Sequence, residues 1–425
     1  MYSRSRTSKR YGSICDRVIF KRYREVNRKE GERYILVRNC ENMIKRLEKH
    51  FEEFTYIKQL VSKDKDLFLA IRENYMNIYY MGGNLAKIGI DRHKNIYFEL
   101  HKKYVYGEGT GYVRLSLNEH RDKIESIKKN IEKIALSKNG LIDENDGVHK
   151  KTTREKICQQ WIINKNNIGD GEWYYIDMEY TMKNISSGRF DMIAIKKTVD
   201  ENEKHQVALI ELKIGSDRYT SMTSRRYNDE SHHFKYEDIK NNSLYSYQTK
   251  ESYVSFGSGL LGHLCDYMRF LNAKHYEILR QEIVHEIKSL IQLGIISEDC
   301  AIGRIGDTKL LSDKPEIYFV SYTRVPSLKD DREESIEVMK KTFYKYMYSS
   351  KERYKNQIEK GLVCSKYSVQ DMLNKDEIKG LLDMEQDFFS IMNPSFTLEI
   401  GEELFRFNCI FMDSKIEKAW ECLYE

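Results

Sequence analysis

The sequence predicts a mixed α+β / α/β protein. An αβββαβ core occupies its middle, an N-terminal helix plus small antiparallel meander precedes it, and a mainly helical region follows. Three observations carry this. Residues 153–166 show helical apolar spacing, and three short apolar runs with turns between them follow, then helical runs and a strand-like run at 316–322. Residues 76–105 alternate apolar and polar side chains. Residues 330–390 are charged and Tyr-rich with helical character.

Residues 1–34 are basic and weakly patterned. Residues 35–75 carry helical periodicity, with Ile44, Leu47, Phe51 and Phe54 spaced between charges. The segments 76–83, 84–91 and 95–105 read as a meander, with Gly82-Gly83 and the polar step Asp91–Lys94 as its turns. Residues 114–138 return to a helical pattern. The polar stretch 139–150 marks a domain boundary, so the expected division is 1–148, 149–328 and 329–425.

In the second segment, helix 153–166 places Ile157, Trp161 and Ile162 on one side. Strands are expected at 172–182, 189–196 and 207–214, the last apolar enough to be central in its sheet. Residues 216–254 form a polar, Tyr- and Ser-rich insertion. Residues 257–272 and 274–293 read as helices. In the last segment, residues 396–412 look like a hairpin turning near Gly401, and 415–424 a terminal helix.

Composition narrows the class. A chain of 425 residues buries a full core without disulfide or metal staples. Aromatic residues at 12% argue against general disorder, and three prolines exclude a Pro-rich or collagen-like chain. Low-GC coding bias explains the Lys, Ile, Asn and Tyr load, so lysine content alone is no sign of nucleic-acid binding. Charge placement says more. Residues 1–50 hold 15 Lys/Arg against 6 Asp/Glu, a balance of +9, whereas the whole chain is only +5. A basic end can hold phosphates or simply be solvated.

The eight cysteines (Cys15, Cys40, Cys158, Cys265, Cys300, Cys364, Cys409, Cys422) include no C-x-x-C pair. They read as buried free thiols in a reducing compartment rather than as a zinc or iron–sulfur site. The N-terminal residues lack an apolar signal core and no long apolar run occurs, so a cytoplasmic protein that does not enter a membrane is expected.

The chemistry concentrates on Asp191, Glu211 and Lys213. Glu211 and Lys213 are two apart on one predicted strand and so share a face. A hairpin brings Asp191 to the same face. Two converging carboxylates repel unless a cation lies between them, and hard oxygen ligands suit Mg²⁺ or Mn²⁺. An adjacent ammonium stabilises charge developing on a phosphate. Carboxylate-x-Lys pairs also occur at Asp238/Lys240, Glu286/Lys288, Asp307/Lys309, Glu377/Lys379 and Asp413/Lys415. What sets Glu211/Lys213 apart is the flanking Val207, Leu209 and Ile210, because burying these charges in an apolar strand needs a compensating partner.

With its motifs Phe190-Asp191 and Glu211-Leu212-Lys213, this pattern resembles the PD-(D/E)xK nuclease superfamily, which has a restriction-endonuclease-like αβββαβ core. The resemblance covers about residues 153–323. Phe190 stands where the usual proline would be. The resemblance implies Asp191 and Glu211 as metal ligands, the backbone carbonyl of Leu212 as a third, and Lys213 as the catalytic lysine. It also implies hydrolysis of DNA, endonuclease rather than exonuclease, by in-line attack of water, leaving a 5′-phosphate and a 3′-hydroxyl.

A further carboxylate often completes such a site. Glu179, with Asp177 on its face, and Glu155 on the preceding helix are the two choices. Asp266 and His263, at i and i+3 on helix 257–272, are accessory candidates for orienting Lys213 or a phosphate. Arg189 can meet a phosphate or pair with a carboxylate. His232-His233 has no matching ligand pair nearby. RNA stays open as a substrate, and a homodimer or a partner protein is a further expectation. Analogy places such a nuclease in restriction or anti-phage defence. The alternative is a catalytically inert nuclease-like fold that binds nucleic acid or protein.

Overall fold

The chain divides into two compact units, Met1–Leu36 and Val37–Glu425. In the computed structural model the described residues are 37–136, 150–169, 171–182, 188–215, 246–249, 252–255, 263, 267, 270–271, 274–323, 335–343, 395–400 and 403–412. All belong to the second unit. The basic arm, the polar step at 139–149, Gly257–Gly259, His232-His233, Asp266, most of 330–390 and the segment 415–424 lie outside them.

Helices α1 (Glu41–Leu47) and α2 (Phe51–Lys63) take up the first helical periodicity. The helical pattern stops short of residue 75, however. Residues Leu67–Ile71 form strand β1, buried along its whole length. A five-residue apolar run cannot be told from buried helix by periodicity, and here pairing with the next strand decides. That strand is β2 (Tyr75–Tyr80), followed by β3 (Gly83–Ile90), β4 (Ile96–His101) and β5 (Tyr112–Leu115), in one antiparallel sheet in chain order. The expected strand 95–105 is cut short, because Lys102–Tyr106 turn as the short helix α3. Helix α4 (Leu117–Leu136) then packs Ile127 and Ile131 inward.

The β2–β3 turn is made by Met81 and Gly82, both at positive φ, which suits a two-residue hairpin. Gly82 has a second reason to lack a side chain. A Cβ there would stand 2.6 Å from the backbone nitrogen of Ile157. The meander thus lies directly on helix α5 (Lys150–Ile168).

The second sheet contains β6 (Trp173–Thr181), β7 (Arg189–Val199), β8 (His205–Ile214), β11 (Glu316–Tyr322), β12 (Ser395–Ile400) and β13 (Glu403–Met412). Its order is β12-β13-β11-β8-β7-β6. Strands β6, β7 and β8 form an antiparallel meander, β11 runs parallel to β8, and β13 runs parallel to β11. Helix α6 (His275–Gln292) lies in the crossover from β8 to β11. The continuously apolar β8 is central, as its pattern predicts. The C-terminal hairpin belongs to this same sheet. Part of the polar insertion is regular as well, since β9 (Ser246–Thr249) and β10 (Ser252–Ser255) pair antiparallel.

One sheet face packs on α5. Trp173 and Tyr175, Met192 and Ala194, Ala208, Ile210 and Leu212, Tyr318, Val320 and Tyr322 alternate along their strands and meet Ile157, Cys158, Ile162 and Ile163. Phe68, Ala70 and Tyr79 of the first sheet join this core, which therefore crosses the boundary expected at residue 148. The second face carries an aromatic row in which Phe190, Tyr267, Phe319 and Phe407 follow one another at centroid distances of 4.9, 6.1 and 6.1 Å.

A buried ion cluster ties the parts together. Arg38 pairs with Asp177 at 3.1 Å and Glu286 at 2.9 Å, and its backbone N–H donates to Glu282 at 2.8 Å. Arg72, just after β1, pairs with Asp177 at 2.6 Å and donates to the carbonyl of Met178 at 2.8 Å. Tyr180 donates to Glu282 at 2.6 Å. Losing one partner from such a group leaves a buried charge uncompensated, at about 3–5 kcal/mol. Of the four cysteines described, Cys40, Cys158 and Cys409 are buried, but Cys300 is exposed, unlike the expectation for all eight.

Candidate active site

The three residues singled out by pattern come together in the structure. The β7–β8 ladder ends at the pair Met192–Ile210, and Asp191 and Glu211 are the next residues on the two strands. There the regular pairing gives way. The Leu212 N–H donates to the Asp191 side chain at 2.8 Å. Glu211 and Lys213 lie two apart on central β8, flanked by β7 and β11, which is why both are buried. Their side chains form an ion pair.

Both oxygens of Glu211 receive donors. Lys213 and His263 meet Oε1, the latter at 3.0 Å, and the Tyr267 hydroxyl donates to Oε2 at 2.8 Å. His263 thus meets Glu211, whereas the expected partners were Lys213 or a phosphate. Tyr267 is not among the sequence candidates. It sits four residues after His263, one helical turn on, so the signal was the same face that singled out His263.

The electrostatics differ sharply between the two acids. Burial pushes the Asp191 carboxyl well above the usual range, and Glu211 beside it pushes further, while Lys213 works against both. At Glu211 burial also acts upward, but His263, Lys213 and the Tyr267 hydrogen bond together hold its carboxyl below the usual range. For Lys213 burial opposes the charged form, but Glu211, Glu155 and Asp191 outweigh it and keep the ammonium charged beyond its ordinary range.

The two choices for a further carboxylate both act on Asp191. Glu179 lies opposite Asp191 in the β6–β7 pairing, between the Met178–Met192 and Tyr180–Phe190 pairs. It adopts φ +56° and pairs with Lys156 of α5 at 3.2 Å. Glu155, on α5, acts on Lys213 more strongly than Asp191 does. Asp177 does not share the face of Glu179. A bulge between Tyr175 and Asp177 and the left-handed Glu179 break the strand alternation, so Asp177 turns to Arg38 and Arg72. Arg189 is exposed at the start of β7.

The donor chemistry fits a hard divalent cation. Asp191, Glu211 and the Leu212 carbonyl offer oxygen donors of the kind such a cation takes, with Glu211 buried and Asp191 partly buried. Among the described residues no three His, Cys, Asp or Glu side chains converge as a metal site by themselves. Among the described residues no helix is long and apolar enough to cross a membrane. Comparison with protein-family models, known proteins and solved structures finds no match.

Proposed function

We propose that the chain is a Mg²⁺- or Mn²⁺-dependent nuclease of PD-(D/E)xK type, acting on DNA. The observation that carries this reading is that the Asp191 carboxylate accepts from the Leu212 N–H, between Glu211 and Lys213, while buried Lys213 pairs with buried Glu211 on the same central strand. The order helix α5, antiparallel β6–β7–β8, helix α6 and parallel β11 supports a restriction-endonuclease-like core.

Asp191, Glu211 and the Leu212 carbonyl would hold the cation, with Glu179 or Glu155 as a further carboxylate. When bound, it supplies Lewis-acid polarisation of a phosphate oxygen. Lys213 places a permanent positive charge next to that position, where it can offset charge gathering on phosphorus oxygens and orient the attacking water. Tyr267 and His263 fix the rotamer of Glu211. Arg72, through the Met178 and Glu179 carbonyls, holds the strand that carries Glu179.

A second reading has one observation in its favour. Glu211 is already satisfied by Lys213, His263 and Tyr267, as a purely structural ion pair would be. That reading is an inert nuclease-like module that binds nucleic acid or protein. The test is cleavage of single- and double-stranded DNA and RNA in Mg²⁺, Mn²⁺ and EDTA, with Asp191→Ala and Lys213→Ala beside wild type. Metal-dependent cleavage lost in both variants is the expected result. Cleavage that survives both substitutions would remove this site from the reaction, and a wild type that neither cleaves nor binds Mn²⁺ would favour the inert module.

A further inference from the structure

The region before α5 contains a surface that the candidate site does not use. Between α3 and β5 the chain runs Tyr106-Gly107-Glu108-Gly109-Thr110-Gly111-Tyr112, and all seven residues are exposed. The tyrosines that bracket the loop are among the most exposed large side chains described, Tyr106 at 57% and Tyr112 at 70%. Soluble proteins scatter single exposed aromatics freely, but two bracketing one loop ask for a reason.

The three glycines alternate along the loop with φ of +81°, +98° and +79°. Gly107 is explained by the end of α3, which it caps in the left-handed conformation. The other two are called for by their positive φ, and packing adds nothing to that. A Cβ on Gly111 would meet nothing within 4 Å, and one on Gly109 would only touch the Lys102 stem at 3.5 Å. Their backbone is bare and open to solvent, the state in which glycine lets a ligand approach the main chain. The loop is held shut at its base, where the Lys102 N–H donates to the Gly111 carbonyl at 2.9 Å.

Cations surround it. Lys102 and Lys103 open α3 at the foot of the loop, and the Lys123 ammonium of α4 lies 5.7 Å from the Tyr106 ring centre. The Tyr112 ring packs edge-on against His101 at 5.3 Å, which orients it. Within the loop Glu108 is the one acid. Exposed rings, flanking ammonium groups and bare glycine amides form a combination suited to a chain that is both anionic and carries flat faces.

We infer that the Tyr106–Tyr112 loop, with Lys102, Lys103 and Lys123, is a docking surface for single-stranded nucleic acid. Bases stack on the two tyrosines, and backbone phosphates meet the lysines and the loop amides. Single strands are specified because base faces are available for stacking only where they are unpaired. The inference rests on the nuclease reading for the use made of the bound strand, but binding at this loop needs no metal.

The test is fluorescence anisotropy of labelled oligothymidine and oligouridine with the full chain in EDTA, at moderate salt so that diffuse contacts from the basic end are weakened. Three proteins are compared: wild type, Tyr106→Ala/Tyr112→Ala and Lys102→Glu/Lys103→Glu. All the substitutions at the loop are on exposed or partly exposed side chains, and circular dichroism checks that each variant is folded. The tyrosine pair should weaken binding about tenfold or more. The lysine pair should weaken it and flatten its salt dependence. Binding is read in EDTA, without metal and without cleavage, which separates this inference from the fate of the catalytic reading. A duplex of the same length should be insensitive to the tyrosine pair. The inference is overturned if the folded tyrosine variant binds single strands within twofold of wild type, or if wild type does not bind them.

Discussion

Glu211 is a heavily partnered acid, and its neighbours come from three places. Lys213 is its strand neighbour, His263 and Tyr267 come from a helical segment, and Asp191 comes from the adjacent strand β7. A buried carboxylate in such company depends on each donor. Tyr267→Phe removes the only described donor to Oε2 while keeping the ring between Phe190 and Phe319. The lost hydrogen bond to a charged group should cost about 1.5–3 kcal/mol, read as a fall in the urea midpoint at unchanged slope. A variant as stable as wild type would mean that Oε2 is satisfied in another way. At this scale the sequence was most informative for the strand residues. Two residues on one strand share a face by simple alternation, whereas a hydroxyl 56 residues further along the chain is brought in by folding alone.

At the scale of elements, the β6–β7–β8 meander places the acids and the first sheet holds the meander. Arg72 makes that connection. It pairs with Asp177 and donates to the carbonyls of Met178 at 2.8 Å and Glu179 at 3.4 Å, next to the bulged stretch that turns Glu179 towards Asp191. Arg72→Lys keeps a charge beside Asp177 but cannot make the full fork of contacts. On the nuclease reading, Mn²⁺ affinity should fall about tenfold, as for other residues that orient a ligand at one remove. Mn²⁺ titration of the folded variant checks this, and an unchanged affinity would make Arg72 a stability residue only. Legibility varied by element for a physical reason. Strands β6, β7, β8 and β11 were readable because long apolar runs between turns have few alternatives. β1 was read as helix because five apolar residues fit either period, and α3 was missed because a single turn leaves no period to detect.

For the whole molecule, the described residues hold a buried charge cluster other than the candidate site. It joins Arg38, Arg72, Asp177, Glu282 and Glu286, drawn from the start of the described chain, the β1–β2 connection, β6 and α6. Burial and the Asp177 carboxylate raise Glu286 to about 8, with the two arginines acting the other way. Glu282 is also raised, by burial first. The sign of the stability effect follows. A carboxyl raised in the folded state holds a proton there that the unfolded chain has released, so stability is full below its ordinary value of 4.5 and is lost as pH climbs to about 8. Glu286→Gln keeps an oxygen for the Ile71 N–H and removes the titration. Urea unfolding at pH 6 and pH 9 should show a smaller loss for the variant than for wild type. Equal losses would show that Glu286 does not titrate in this window.

The sequence by itself determined the mixed α+β class, the run of three strands followed by helices and a fourth strand, and the shared face of Glu211 and Lys213. These are local properties, set by side-chain alternation, turn residues and apolar runs, and each can be read within ten or so residues. Only the tertiary structure decided that the Asp191 carboxylate meets the Leu212 N–H where the ladder ends, that Asp177 leaves Glu179 for the arginine cluster, that Tyr267 meets Glu211, and that the C-terminal hairpin extends the same sheet. Those outcomes depend on bulges, on strand order and on which helix covers which face. They are settled by burying charge against its partners over separations of more than a hundred residues, which no local pattern records.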